Sequence, residues 1–163
     1  MESRAKFLGH PVHQMLIPIP AGLFIVAAVL DIVDVFVEAS WIPTVTFWNI
    51  VIGIGAGLFA ALFGALDWTK IPAGTRAKRV GALHAVGNVL ALTFFAVAVL
   101  LRGGSSAAGW TPLVLEVMAL ALLGVTAWLG GELVDRMGVG VADGAHLDAP
   151  SSLRVKRSDR LTH

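Results

Sequence analysis

The chain has 163 residues, of which 56% are hydrophobic and only 14% charged, a balance outside the range of water-soluble domains. A formal net charge of +1 supplies no global field for a nucleic-acid partner. With no Cys, the sequence excludes disulfides, thiolate zinc sites, iron–sulfur clusters and a covalently attached c-type haem, so any metal or haem must rest on His, carboxylate or Met.

Residues 1–9 are polar and are expected at a membrane surface. Arg4 and Lys6 precede an apolar run in the manner of a secretory signal. Pro18 and Pro20 interrupt that run, Asp31 and Asp34 follow it, and no small-residue cleavage site leads into a soluble body, so it is expected to remain as a helix. The first span is placed at about 13–38, its regular part starting near Pro18 because proline is tolerated in a first helical turn. His10 and His13 then lie near one membrane face.

Trp41, Ile42 and Pro43 read as a short interfacial turn, and the second span as about 46–68. In it Gly53, Gly57, Ala60 and Gly64 recur three or four residues apart, a small-residue stripe for close helix packing. Asp67 falls on the same stripe and is expected to point into a bundle. The loop Thr69 to Thr75 contains Pro72 and Gly74, and Thr75 is placed to cap the next helix.

The third span, about 78–101, carries His84 and Asn88 one turn apart on one face, with Gly81 a turn earlier. A Gly/Ser-rich loop after Arg102 leads to Trp110 and Pro112 at the interface. The fourth span, about 113–134, has Glu116 near its start and Gly130-Gly131-Glu132 near its end. These spans make residues 1–137 one four-span domain, an all-α integral membrane four-helix bundle whose first partner is the lipid bilayer. Residues 138–163 form a basic polar tail with Arg154, Lys156, Arg157 and Arg160, suited to anionic lipid headgroups and not to nucleic acid.

Basic residues divide unevenly between the two ends. Arg4, Lys6, Lys70, Arg76, Lys78, Arg79, Arg136 and the tail share one side, and Arg102 stands alone on the other. The positive-inside rule puts both termini in the cytoplasm.

Assigning each polar residue to a level gives two groups. His10, His13, Asp67, His84 and Glu132 fall toward the cytoplasmic face from four different helices. Asp31, Asp34, Glu38, Glu116 and Arg102 fall toward the outer face. Neutral imidazole with carboxylate suits zinc or iron, so the first group is a candidate metal site. Haem b is the second chemical option, because His13 and His84 offer a bis-imidazole pair with Asp67 and Glu132 beside it. The plainer alternative makes His84 helix glue, bonded to Asp67 or Asn88, and pairs Asp67 with Lys70 or Arg76.

Three stretches carry a resemblance. GHPVHQMLIPIPAGLFIVAAVLD is similar to a His-Pro-x-His-Pro opening, LFGALDWTKIPAGTRAKRVGALHAVGN to an Asp-Trp-x-x-Ile-Pro-x-Gly-Thr…His-x-x-x-Asn hairpin, and GGELVDRMGVGV to a Gly-Gly-x-Leu-Val-Tyr close. Together, over roughly residues 8 to 141, the chain resembles a bacterial family of four-helix inner-membrane proteins catalogued as domain of unknown function 2231. The family-like positions are His10, His13, Asp31, Asp67, His84, Asn88, Gly131 and Glu132, with Gln14 replacing a frequent Pro and Asp135 a frequent Tyr. Because some members are joined to Rieske or cytochrome-type domains, the resemblance implies redox chemistry in a multi-pass bacterial inner-membrane protein.

Three functional readings follow. The first is a metal- or haem-binding redox protein, the second a proton- or ion-handling transporter using Asp31 and Asp34 outside and Asp67 with His84 inside. The third is a structural module that docks a redox partner protein, with association into homo-oligomers open to all three. No Ser or Thr sits in a nucleophile turn, so nothing points to an enzyme of that type. Single cysteines at positions 74 and 105, probed with a membrane-impermeant thiol reagent, are expected to label from the inside and the outside respectively; labelling from one side would end the four-span topology.

Overall fold

The computed structural model describes residues 1–104 and 109–154, and the tail positions Lys156, Arg157 and Arg160 lie outside the described residues. Four helical segments are long and apolar enough to cross a membrane: Val12–Val37, Ile42–Lys70, Arg76–Leu101 and Trp110–Arg136, of 26, 29, 26 and 27 residues. At about 1.5 Å per residue each exceeds the roughly 30 Å hydrocarbon core.

The first segment is broken near its start into α1 (Val12–Leu16) and α2 (Pro18–Val37). Pro18 and Pro20 have no N–H to donate, so the ladder is carried across the break by the amides of Ile17 to His13 (3.2 Å) and Ala21 to Ile17 (3.3 Å). At the far end Glu38 closes α2 in the left-handed region (φ 49°), its amide bonded to the Asp34 carbonyl.

α3 (Ile42–Lys70) and α5 (Trp110–Gly131) begin earlier than the interfacial Trp and Pro residues suggest. Pro43 and Pro112 lie inside the first turns, where a missing N–H leaves no bond unmade. α4 (Arg76–Leu101) starts at the expected cap, with the Thr75 hydroxyl accepting the Lys78 amide at 3.1 Å. α5 runs on into one wide turn, Glu132–Arg136, in which Met137 N bonds to Glu132 O.

The helices pack in the cyclic order α2, α3, α4, α5, with α2 against α3 and α4 against α5 as hairpins and α3–α4 and α2–α5 joining them. α2 and α4 therefore face each other across the bundle axis. On that axis Phe24 stacks on Phe95, ring centroids 4.0 Å apart and planes 9° from parallel, within a core of Ala27, Ile50, Ala91 and Ala119. The outward faces are apolar, with Phe36 81% and Leu100 78% exposed, as a helix bundle in lipid requires.

The end at which the chain begins and the last helix finishes is closed by residues 1–11 and the segment after Arg136. Lys6–Phe7 (β1) and His10–Pro11 (β2) pair antiparallel, Lys6 opposite Pro11. The Met1 ammonium donates to Gly138 O and Gly140 N to Met1 O, both at 2.9 Å. Glu2 meets Lys6 and the Asp143 amide, which together hold its carboxyl below the usual range. The start of the expected basic tail is thus part of the folded end.

The glycine stripe of α3 works as read from the sequence. A Cβ on Gly53 would sit 2.8 Å from Phe24, one on Gly57 3.1 Å from Leu92 and one on Gly64 2.8 Å from His13, whereas Gly55 on the opposite side meets nothing within 4 Å. Gly53→Ala is expected to lower the melting temperature in detergent by an overpacking cost of about 1–3 kcal/mol, with Gly55→Ala close to neutral. Equal responses at the two positions would refute the close contact with Phe24.

Candidate functional site

His13 stands in the first turn of α1, directly after Pro11 turns the chain out of the β-hairpin. Its Nδ1 donates to the Ala60 carbonyl of α3 at 2.8 Å, and its ring lies over Gly64, one turn further along α3. His84, on α4, does the same to α5. Its Nδ1 donates to the Thr126 carbonyl at 2.8 Å, and its ring lies against Gly130. A carbonyl can only accept, so each neutral ring carries its proton on Nδ1 and keeps a lone pair on Nε2.

The two rings meet edge to face, centroids 6.4 Å apart and planes at 86°. Asn88 supports the pair from below. Its amide donates to the His84 carbonyl at 2.8 Å and its Oδ1 accepts the Thr126 hydroxyl at 3.1 Å. Thr126 is the one site residue with no individual signal in the sequence; its position opposite His84 emerges only from the packing of α4 on α5.

The other expected members of this cluster are elsewhere. Asp67 is buried but faces the N-terminal segment, accepting the Ser3 hydroxyl at 2.7 and 2.9 Å and the Arg4 amide at 2.7 Å. It lies about one turn beyond Gly64, past the level of the His13 ring, so neither the expected contact with His84 nor an ion pair with Lys70 or Arg76 is found. Glu132 instead takes Arg76 as its partner, at 2.7 Å. His10 is on the exposed hairpin, its Nε2 3.5 Å from the Ser152 hydroxyl. Among the described residues no group of three or more His, Asp or Glu could hold a metal ion, which corrects the expectation of a five-residue metal cluster.

At the opposite end the expected polar level becomes an ion cluster. Asp31 pairs with Arg102, and the same guanidinium nitrogen reaches Glu116 at 3.2 Å, all three side chains almost wholly buried. Beside it a cavity of about 490 Å³ is lined by Asp31, Asp34, Glu38, Trp110 and Leu113 among others. Arg102 is the only basic residue at this level in the sequence, the one signal that foreshadows the pairing.

The loop between the two central helices is tied down by Trp68 and Lys78. Trp68 Nε1 donates to the Lys78 carbonyl at 3.1 Å, and the Lys78 ammonium bonds the Trp68 carbonyl at 2.8 Å while sitting 3.6 Å from the indole ring centre. A Cβ on Gly81 would strike that indole at 2.8 Å, so the glycine a turn before His84 is there for Trp68.

No curated protein and no solved structure matches the chain. The model of one family, described as "Predicted membrane protein (DUF2231)", matches residues 9–143, which include both histidines, the ion cluster and all four apolar helices. The chain therefore belongs to the DUF2231 family of membrane proteins.

Proposed function

We propose that this integral membrane protein holds one metal centre between His13 and His84, either a transition-metal ion or the iron of a haem, for membrane redox chemistry. The observation that carries the reading is the preset state of the two rings. Metal-ligating imidazoles usually donate their other N–H to a carbonyl or carboxylate, which fixes tautomer and orientation, and both rings already do so. The separation also suits it. The two ring centres are 6.4 Å apart, so both imidazoles would serve one site.

Among the described residues no third His, Asp or Glu joins these two imidazoles, so a group held here would bring its other donors with it. The chain's own part is to orient the imidazoles. Asn88 and Thr126 serve as positioning residues through the His84 turn.

A transporter is the second reading, favoured by the acidic cavity that reaches Asp31. The stacked Phe24–Phe95 pair lies between that cavity and the histidines and closes the axis, which weighs toward a fixed site over a continuous path. The basic residues around the termini support a bacterial inner-membrane location with both termini cytoplasmic.

Titration of the detergent-purified protein with hemin, and separately with Zn²⁺ and Cu²⁺, tests the proposal. One equivalent is expected to bind, with a Soret shift in the haem arm or calorimetric saturation in the metal arm. His13→Ala and His84→Ala are each expected to weaken binding tenfold or more while helicity by circular dichroism is retained. Uptake of neither ligand, or uptake that both variants preserve, overturns the paired-histidine site.

A further inference from the structure

We infer that the chain is two copies of one helix hairpin, related by a pseudo-twofold axis that runs down the centre of the bundle. The first copy is α1–α3 and the second α4–α5. The inference does not depend on what the histidines bind.

The first line of support is that the contacts on the axis pair equivalent positions. His13 meets His84, Phe24 stacks on Phe95 and Asp31 pairs with Arg102, and in each case the partners are seventy-one residues apart. Residues i and i+71 meeting at three successive levels is what a twofold axis between two parallel helices produces. Any two parallel helices advance together at about 1.5 Å per residue, so the shared offset follows from their packing; what points to a repeat is that the residues it pairs are alike, His with His and Phe with Phe. Buried Pro20 and Ala27 likewise correspond to buried Ala91 and Ala98.

The outer helices of the hairpins repeat independently, at an offset of sixty-six. From Thr46 onward the buried residues of α3 are Thr46, Ile50, Gly53, Ala60 and Asp67. The positions sixty-six further on are Pro112, Glu116, Ala119, Thr126 and Leu133, and every one is buried. The histidine contacts obey the same operation. His13 bonds Ala60 O over Gly64, and His84 bonds Thr126 O over Gly130, both at 2.8 Å. The packing order α2, α3, α4, α5 puts the equivalent helices on diagonals, as a central twofold requires.

The departures from symmetry are informative as well. Two like charges facing each other on a twofold in low dielectric repel strongly, so a charged layer on the axis is tolerated only if one copy reverses its sign. The layer is Asp31 against Arg102, and the second copy adds Glu116 where the first has Ile50. This layer makes the two hairpins complementary instead of identical and fixes them as partners.

Moving the charges between copies tests the proposal. Asp31→Arg with Arg102→Asp alone leaves a carboxylate beside Glu116 and a cation beside Ile50, and is expected to lower the melting temperature by many degrees. Adding Ile50→Glu and Glu116→Ile transfers the whole cluster to the other hairpin and is expected to restore most of that loss. A quadruple variant no more stable than the double, or a double variant as stable as the parent, overturns the pseudo-symmetry. A second measurement leaves the core untouched: spin labels at the outward-facing pair Val26 and Trp128 are expected to give the same distance distribution as labels at the equivalent pair Val97 and Leu62, and clearly different distributions would equally refute it.

Discussion

Within a bilayer no water waits to satisfy a polar group, so each must be matched inside the protein; in this chain the flanking helices satisfy the histidines, and the ion cluster is matched across the bundle axis. The histidine pair lies near one end and the Asp31–Arg102–Glu116 cluster near the other, with the stacked phenylalanines between. Except for Glu116 on α5, these groups stand on the first helical segment and on α4 or its C-cap, which are diagonal and meet through long side chains. Removing Arg102 would leave two carboxylates facing each other without a cation in hydrocarbon, which ties the alignment of the two hairpins to that layer.

Bringing large side chains to the axis requires the flanking helices to give way, and glycine is how they do it. Gly53 makes room for the Phe24 ring, Gly64 for His13 and Gly130 for His84. The histidines gain most from this. Lying directly over a glycine, each ring comes within bonding distance of the carbonyl one turn earlier, Ala60 or Thr126, a group that already belongs to a helical ladder. The polar tip is satisfied without a second buried side chain, and Nε2 is left for other chemistry.

How much of this the sequence carried depends on the range over which each feature is encoded. The four spans, the Thr75 cap and the α3 stripe rest on local composition and spacing, and all are present. That His13 and His84 occupy one level also follows from counting residues inward from the same end. The partner of Asp67 could not be read this way, since Ser3 is sixty-four residues distant and lies in a polar segment without periodicity. Glu132 likewise turned to Arg76 at the start of α4, a choice set by how α5 is rotated. The duplication was invisible for a related reason. What repeats is burial and contact at fixed offsets, while residue identity survives at few positions, among them His13 and His84, Phe24 and Phe95, and Gly64 and Gly130.

The two ends of the axis have diverged to different degrees, and the divergence separates their roles. Near the histidines the copies still agree in side chain, hydrogen bond and underlying glycine, so a ligand there meets the same chemistry from both halves. At the other end α2 runs on almost two turns past the point equivalent to the end of α4, from Asp31 to Val37. Those extra turns supply Asp31, Asp34 and Val35 to the cavity wall, against Gly109, Trp110 and Leu113 from the second hairpin. The cavity exists because the copies differ, whereas the histidine pair exists because they agree. The proposed centre would lie where the two copies present equivalent nitrogens, and the one-sided acidic cavity lies where the constraint of symmetry has been released.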